Sequence, residues 1–341
     1  MKKIAFASGL CLMTVGAVSA QDWPTDTIRY ANWIPASFVT ARIDQFVVDE
    51  IAARTDGAVE IEIFHGGALG GPGEMVEMVG AGAIDIGNFP ISYFFSQFPV
   101  ASLNDSLPML FETAADAAQL ARESYDQIDE VRAELDAANL HPFLYRGLPQ
   151  YRMICTRPVA NLADLQGLKV RTYGSFTPPL FQAFGAVPVD MELGELYDGL
   201  QRGTVDCVFL NYQTAALFRL YEVADYTSDA EFGATPLYLG YINKDVWDSW
   251  SDDFRSLFNE VVEEAEVRAN NEIETEEAAG LQTLLDNGVT LIPFTDQARL
   301  EAEAPDFLEL WVERVSAAGK PEAARAHADF IRRRLSELAS Q

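Results

Sequence analysis

From residue 252 to residue 287 the chain has no proline and a single glycine, Gly280. Read as one helix at 1.5 Å per residue, this stretch would reach about 54 Å, more than a single small domain needs. Ser251 or Asp252 can cap its start, and Gly288 stands at the C′ position. Phe254, Leu257, Phe258, Val261 and Ala265 give the first half an apolar face, residues 272–277 are strongly polar, and Leu281, Leu284 and Leu285 restore an apolar face. A helix buried at both ends and solvated in the middle can bridge two domains. The alternative is two helices broken near Asn270 and Asn271.

About 320 residues remain after an N-terminal leader, too many for one comfortable core and enough for two domains. The first opens with a strand over 27–33 and a helix that places Ile43, Phe46, Val47 and Ile51 on one side. In the next strand Val59, Ile61 and Ile63 alternate with Glu60 and Glu62. Residues 66–73 then open a helix carrying Met75, Met78 and Val79, and a strand follows at 84–87. No glycine- or proline-rich linker divides the chain. That suits domains joined by more than one crossing, neither of them continuous in sequence.

The second half carries a β-α-β-α-β train: a strand at 168–172, a helix around 177–184, a strand at 186–189, a helix at 193–202 and a strand at 204–210. Leu193, Leu196, Tyr197 and Leu200 recur at helical spacing, and Gly203 sits where a C′ residue belongs. The first strand of this train ends in Arg171. In an open α/β sheet ligands gather beyond the carboxyl ends of the strands. A guanidinium there suits a carboxylate held by two parallel hydrogen bonds. The competing reading is a surface arginine paired with one of the many acids.

The runs GLKVR, GAVPV, ELYDGLQRGTVD and LYEVADY resemble the solute-binding proteins of tripartite ATP-independent periplasmic (TRAP) transporters, the dicarboxylate-binding family. EIEIFHGGALGGPGE, GAGAIDIG and NKDVWDSW match further stretches in the family's order, so the resemblance covers nearly the whole mature chain. It implies two α/β domains with a ligand cleft between them, joined by crossing strands and a long spanning helix. The implied boundaries are 21–147 with 234–268, and 148–233 with 269–341. It also implies that Arg171 holds a ligand carboxylate and that an ion-driven membrane permease takes the ligand on. The family often has a second arginine on the strand before Pro158; counting back, the position could be Arg152 or could fall at Tyr151, which leaves a second carboxylate contact open.

Further cleft candidates lie at strand ends: Trp33 after the first strand, Asn88, Phe89 and Tyr93 after 84–87, Tyr173 after Arg171, and Phe209, Asn211 and Tyr212 around the end of 204–210. Tyr238 lies near the return crossing, and Glu74 is close enough to its helix start to reach the cleft. Each alone is as easily a core residue; together they describe a pocket of rings with a few polar groups.

Lys2 and Lys3, an apolar stretch from Ile4 to Val18, and Val18-Ser19-Ala20 before Gln21 read as a cleaved signal peptide over 1–20, hence a periplasmic protein. Its removal takes away two lysines and no acids, carrying the formal charge from −28 to −30. Such acidity argues against nucleic acid and against anionic membrane surfaces as partners. It does not forbid an anionic ligand, because exposed charges beyond about 8 Å are largely screened.

His65, His141 and His327 are far apart, and no HExxH, P-loop or GxSxG occurs. The glycines at 66–73 miss dinucleotide spacing, and Pro72 lacks an amide hydrogen. Neither metal nor cofactor is expected, and a monomer is. Cys155 and Cys207 remain after cleavage. They could form a disulfide in an oxidising compartment or sit as small buried residues. The expected function is capture of a small organic acid. The rivals are a binding protein for a sulfonate or an amine, and a periplasmic lyase or hydrolase using cleft carboxylates.

Overall fold

The computed structural model describes residues 22–103, 107–235, 239–338 and 340. The signal-peptide reading and Tyr238 lie outside them. Among the described residues eleven strands form two sheets. The first sheet holds β1 (Ile28–Asn32), β2 (Ile61–Phe64), β3 (Ile86–Phe89), β4 (Leu140–Phe143) and β10 (Leu239–Asn243), in the order β2-β1-β3-β10-β4. The second holds β5 (Arg152–Cys155), β6 (Lys169–Thr172), β7 (Val187–Asp190), β8 (Cys207–Leu210), β9 (Tyr226–Ser228) and β11 (Thr290–Ile292), in the order β11-β9-β5-β8-β6-β7.

Each sheet admits one antiparallel strand that has just arrived from the other body. β5 lies antiparallel between β9 and β8, and β10 antiparallel between β3 and β4. The two crossing segments are themselves tied by the bridge between Leu148 and Thr235, with Leu148 N–H donating to Thr235 O at 2.5 Å. This is the architecture of two discontinuous α/β bodies that the sequence implies.

The long helix is continuous from Asp252 to Asp286, and Ser251 caps it by accepting the Phe254 N–H at 3.2 Å. Its first half packs Phe254, Phe258, Val261 and Val262 into the core of the first body, beside Ile43, Val47 and Ile51 of the helix Val39–Arg54. The expected solvated middle forms on one side only: Glu274 and Thr275 are exposed, while Ile273 and Glu277 are buried. Glu277 is covered because the helix Tyr212–Leu217 lies against its side of the long helix. Glu277 accepts the N–H groups of Tyr212 and Gln213, both at 2.9 Å, and burial pushes its carboxyl up to about 7. Gly280 permits this approach, since a Cβ there would sit 2.5 Å from Gln213 N.

The last helix, Pro321–Leu338, returns to the first body. Lys320, just before it, donates to Glu134 at 2.8 Å. Arg334 pairs with Glu123 at 2.6 Å, and His327 Nε2 lies 2.9 Å from Ser124 Oγ. In the second body a disulfide joins Cys155 to Cys207. The antiparallel register of β5 and β8 sets the two cysteines directly opposite. Among the described residues no helix is long and apolar enough to cross a membrane.

Candidate functional site

The parallel strands of the two sheets point their carboxyl ends at a common cleft. β1 delivers Trp33, the turn after β3 delivers Tyr93, β6 delivers Arg171 and Tyr173, and β8 delivers Leu210. These, with Leu148, Tyr151, Leu193 and Thr214, line a narrow inner chamber of about 20 Å³. Tyr93, Arg171 and Tyr173 also line a wider outer chamber of about 570 Å³, whose wall includes Ser92, Ser96, Asp190, Glu192 and Arg314.

Arg171 is 4% exposed. Its Nε donates to Met191 O at 2.9 Å and its Nη1 to Phe209 O at 3.2 Å, and the guanidinium lies 5.0 Å from the Tyr173 ring centre. Two carbonyls and a ring hold it while no carboxylate among the described residues pairs with it. That is unusual in this chain, where Arg29, Arg42, Arg54, Arg122, Arg146 and Arg152 all have acid partners. A planar cation held by neutral acceptors keeps its remaining N–H donors for an anion. Around it, Tyr151 packs 4.7 Å from Phe209, and Tyr173 stacks 6.2 Å from the same ring. Burial raises the pKa of the Tyr151 and Tyr173 hydroxyls, so both are neutral donors at physiological pH.

Of the residues singled out in the sequence, Trp33, Tyr93, Arg171 and Tyr173 come together on the cavity wall. Phe209 stands directly behind them, 2% exposed, with Phe181 and Phe232 against it. Asn88 and Phe89 are buried in the first body. Asn88 Nδ2 donates to Asp44 at 3.1 Å, within a network where Asp44 also accepts from Tyr30 at 2.7 Å and lies 2.7 Å from Arg146. Phe89 stacks on Tyr241 at 4.5 Å. Asn211 caps the helix Tyr212–Leu217 by accepting the Thr214 N–H at 2.9 Å. Asn88 Oδ1 and Asn211 Nδ2 are buried with no hydrogen-bond partner among the described residues. Tyr212 turns away, its hydroxyl donating to Ser228 O at 3.0 Å. Glu74 is exposed and lines neither chamber.

Arg152 and Tyr151 separate cleanly. Successive residues of an extended strand face opposite sides. Tyr151 faces the cavity. Arg152 faces the other way, donating to Asp229 O at 2.9 Å and Glu231 at 3.2 Å over the Tyr212 ring. The sequence reading did not single out Leu148, Leu193, Leu210, Thr214 or Arg314. The leucines read as ordinary core residues, and Arg314 sits on the helix Phe307–Ala317, far along the chain. Its guanidinium lies 4.6 Å from the Phe95 ring and 5.7 Å from the Phe176 ring, one from each body.

Two bodies of this topology, with a polar anchor and rings in the cleft between them, define a solute-binding protein. Comparison with known sequences gives the family: the profile described as bacterial extracellular solute-binding protein, family 7, matches residues 35–305, and the chain belongs to that family. It is similar to a solute-binding protein of Chromohalobacter salexigens, 27% identical over 91% of both chains. It is also similar to the 2,3-diketo-L-gulonate-binding periplasmic protein of Escherichia coli, 30% identical over 64% of this chain and 66% of that one. Among solved structures, a TRAP periplasmic solute-binding protein of Chromohalobacter salexigens with bound D-glucuronate is 25% identical, with a TM-score of 0.75 over 89% of this chain and 99% of that chain. A Roseobacter denitrificans TRAP protein with bound β-D-glucuronate has a TM-score of 0.77 over 90% and 99%; at 22% identity it supports the fold. Members of this family serve transport.

Proposed function

We propose that this protein captures a small organic acid in the periplasm, closes its two bodies over it, and hands it to the membrane permease of a TRAP transporter without changing it chemically. The observation that carries this reading is Arg171, buried in the cleft and paired with no acid among the described residues, at the carboxyl end of β6. Relatives that bind uronates and diketogulonate support an acid ligand. Against an enzyme stands the chemistry of the inner wall, which holds no histidine, cysteine or carboxylate to act as nucleophile or base. The bodies that move are read as 21–147 with 234–268 and 148–233 with 269–341, except that the last helix, Pro321–Leu338, is tied to the first body through Lys320, His327 and Arg334.

Arg171→Ala tests the reading. A buried charge-assisted pair, once truncated, leaves the ligand's charge without a partner, and binding should weaken by about 2–5 kcal/mol. Arg171→Lys should also bind poorly, because a point charge cannot reproduce a planar fork. Calorimetry with whatever acid co-purifies, or with the best acid from a thermal-shift screen, gives the number. Affinity within about threefold of wild type, under 1 kcal/mol, would sink the carboxylate anchor and favour an amine or a neutral solute.

A further inference from the structure

We propose that Arg314 is a positioning residue for ligand capture: from a helix fixed to the first body it reaches across the mouth of the cleft to Phe176 of the second, and so latches the two bodies together. This rests on the closure in the reading above and adds the residue that keeps the cleft shut.

The attachments of the chain show which body carries Arg314. Residues up to the helix Gln297–Glu303 are fastened to the second body. There Thr295 N–H donates to Ala160 O at 2.8 Å, Leu162 N–H to Asp296 at 3.1 Å and Glu231 N–H to Gln297 at 3.0 Å. After Pro305 the attachments change. The helix Phe307–Ala317 buries Leu308, Trp311, Val312 and Val315, and Trp311 meets His327 of the last helix edge-on at 5.7 Å. That last helix, with Lys320 before it, is tied to Glu123, Ser124 and Glu134 of the first body. Arg314 is therefore carried by the first body although it follows the second in sequence.

Its guanidinium lies between two rings. Phe95, 4.6 Å away, is on the first body; Phe176, 5.7 Å away and 3% exposed, is on the second. Both distances are within reach of a cation–π contact. Among the described residues no acid pairs with Arg314, so the rings rather than an ion pair hold it. Asp190 and Glu192 of the second body share the outer chamber's wall with it, and their charge favours the approach of a cation from the first.

Phe176 is also coupled to the anchor. Arg171 and Tyr173 lie at the end of β6, and Thr177, next to Phe176, accepts the Tyr173 N–H on its hydroxyl at 3.0 Å. The strand end that would hold the acid and the ring that meets Arg314 are one short piece of backbone. An acid that draws β6 toward the first body brings Phe176 to Arg314 in the same movement. Arg314 is exposed, so the contact is weak and reversible, as release of the solute requires. A contact of this kind amounts to roughly a two- to fivefold bias toward the closed arrangement.

The first test needs no ligand. Ser96→Cys and Ser175→Cys put one thiol on each body at the wall of the outer chamber. The rate at which a short bis-maleimide joins them, corrected for the reactivity of each thiol alone, follows the closed population. Adding Arg314→Gln should slow it about two- to fivefold and Arg314→Lys less, with the melting temperature unchanged. Equal rates with and without Arg314→Gln, or no cross-link at all, overturn the latch. So does an Arg314→Lys rate no higher than that of Arg314→Gln, because charge would then play no part. D-glucuronate, pyroglutamate and succinate separate this inference from acid capture itself. An acid that speeds cross-linking should leave Arg314→Gln about two- to fivefold faster in stopped flow. Equal release rates overturn the latch and leave acid capture standing. If none of the three speeds cross-linking, capture by closure loses its support, and the ligand-free rates still decide the latch.

Discussion

Replacing Gly280 with alanine sets two physical effects against each other. Helix propensity alone favours alanine over glycine in a helix interior by about 1 kcal/mol. The structure opposes it. A Cβ at 280 would sit 2.5 Å from Gln213 N, 2.6 Å from Gln213 Cα and 2.7 Å from Tyr212 C. All three are backbone atoms at the start of the helix Tyr212–Leu217, so no rotamer change can relieve the clash. The two helices would have to part, weakening the bonds from Tyr212 and Gln213 to Glu277. Overpacking of this kind costs about 1–3 kcal/mol, with the upper part of that range expected against rigid atoms. Subtracting the propensity gain leaves a net loss of about 1–2 kcal/mol. Gly73→Ala is the control, because it lies in the helix Pro72–Gly80 with nothing within 4 Å of a new Cβ. It should be neutral or stabilising by up to about 1 kcal/mol. Urea unfolding followed by circular dichroism compares the midpoints. A Gly280→Ala midpoint at or above wild type would refute the close-contact argument.

Joint replacement of Cys155 and Cys207 by alanine should cost about 4 kcal/mol, the chain-entropy value for a bridge spanning 52 residues; a loss below about 1 kcal/mol in urea unfolding would mean that the cross-link adds little. Val267 is 64% exposed at the middle of the spanning helix, so Val267→Pro isolates the backbone ladder and should cost about 3 kcal/mol; a melting temperature near wild type would contradict a continuous helix. Burial holds the His327 imidazole down at about 3, below the ordinary value of about 6.5. The unfolded chain takes that proton first, so this group's share of stability is lost as pH falls through about 6.5 toward 3, at about 1.4 kcal/mol per unit. Glu277, pushed up to about 7 by burial, acts in the opposite sense: from about 4.5 to 7 the folded protein keeps a proton the unfolded chain has released, so its share falls as pH rises. Glu277→Gln should therefore gain stability with pH more steeply than wild type between pH 4.5 and 7, and parallel midpoint profiles would show that Glu277 does not titrate there.

What could be read in advance followed from local rules. The spanning helix announced itself by its lack of breakers, and Arg171 by its place at a strand end. Both are properties of a short window of sequence. The choice between Tyr151 and Arg152 was not legible, because it turns on which residue of an extended segment faces the cleft, and a one-residue slip inverts the answer. The disulfide likewise depended on the register of β5 against β8, which residues 52 apart do not reveal. The middle of the spanning helix was read as solvated from its run of acids, which holds for Glu274 and Thr275 but not for Glu277. Glu277 is covered because the backbone N–H groups of another helix need an acceptor there, a demand that arises only in three dimensions. Leu148, Leu193 and Leu210 carried no polar signal at all, yet they line the inner chamber.

The placement of β10 governs the order in which the molecule can be completed. Its strand lies in the interior of the first sheet, between β3 and β4, yet it follows β4 in the chain by almost a hundred residues, and the whole train from β5 to β9 intervenes. A chain emerging from its N-terminus therefore cannot finish the earlier body first. β4 has no neighbour in that sheet until residue 243 is available, and the helix that buries Phe254 and Phe258 beside it comes later still. Pairings this distant are slow to form. The two halves mature together or not at all, and a truncation that removes the second body would leave the first with a gap through the middle of its sheet.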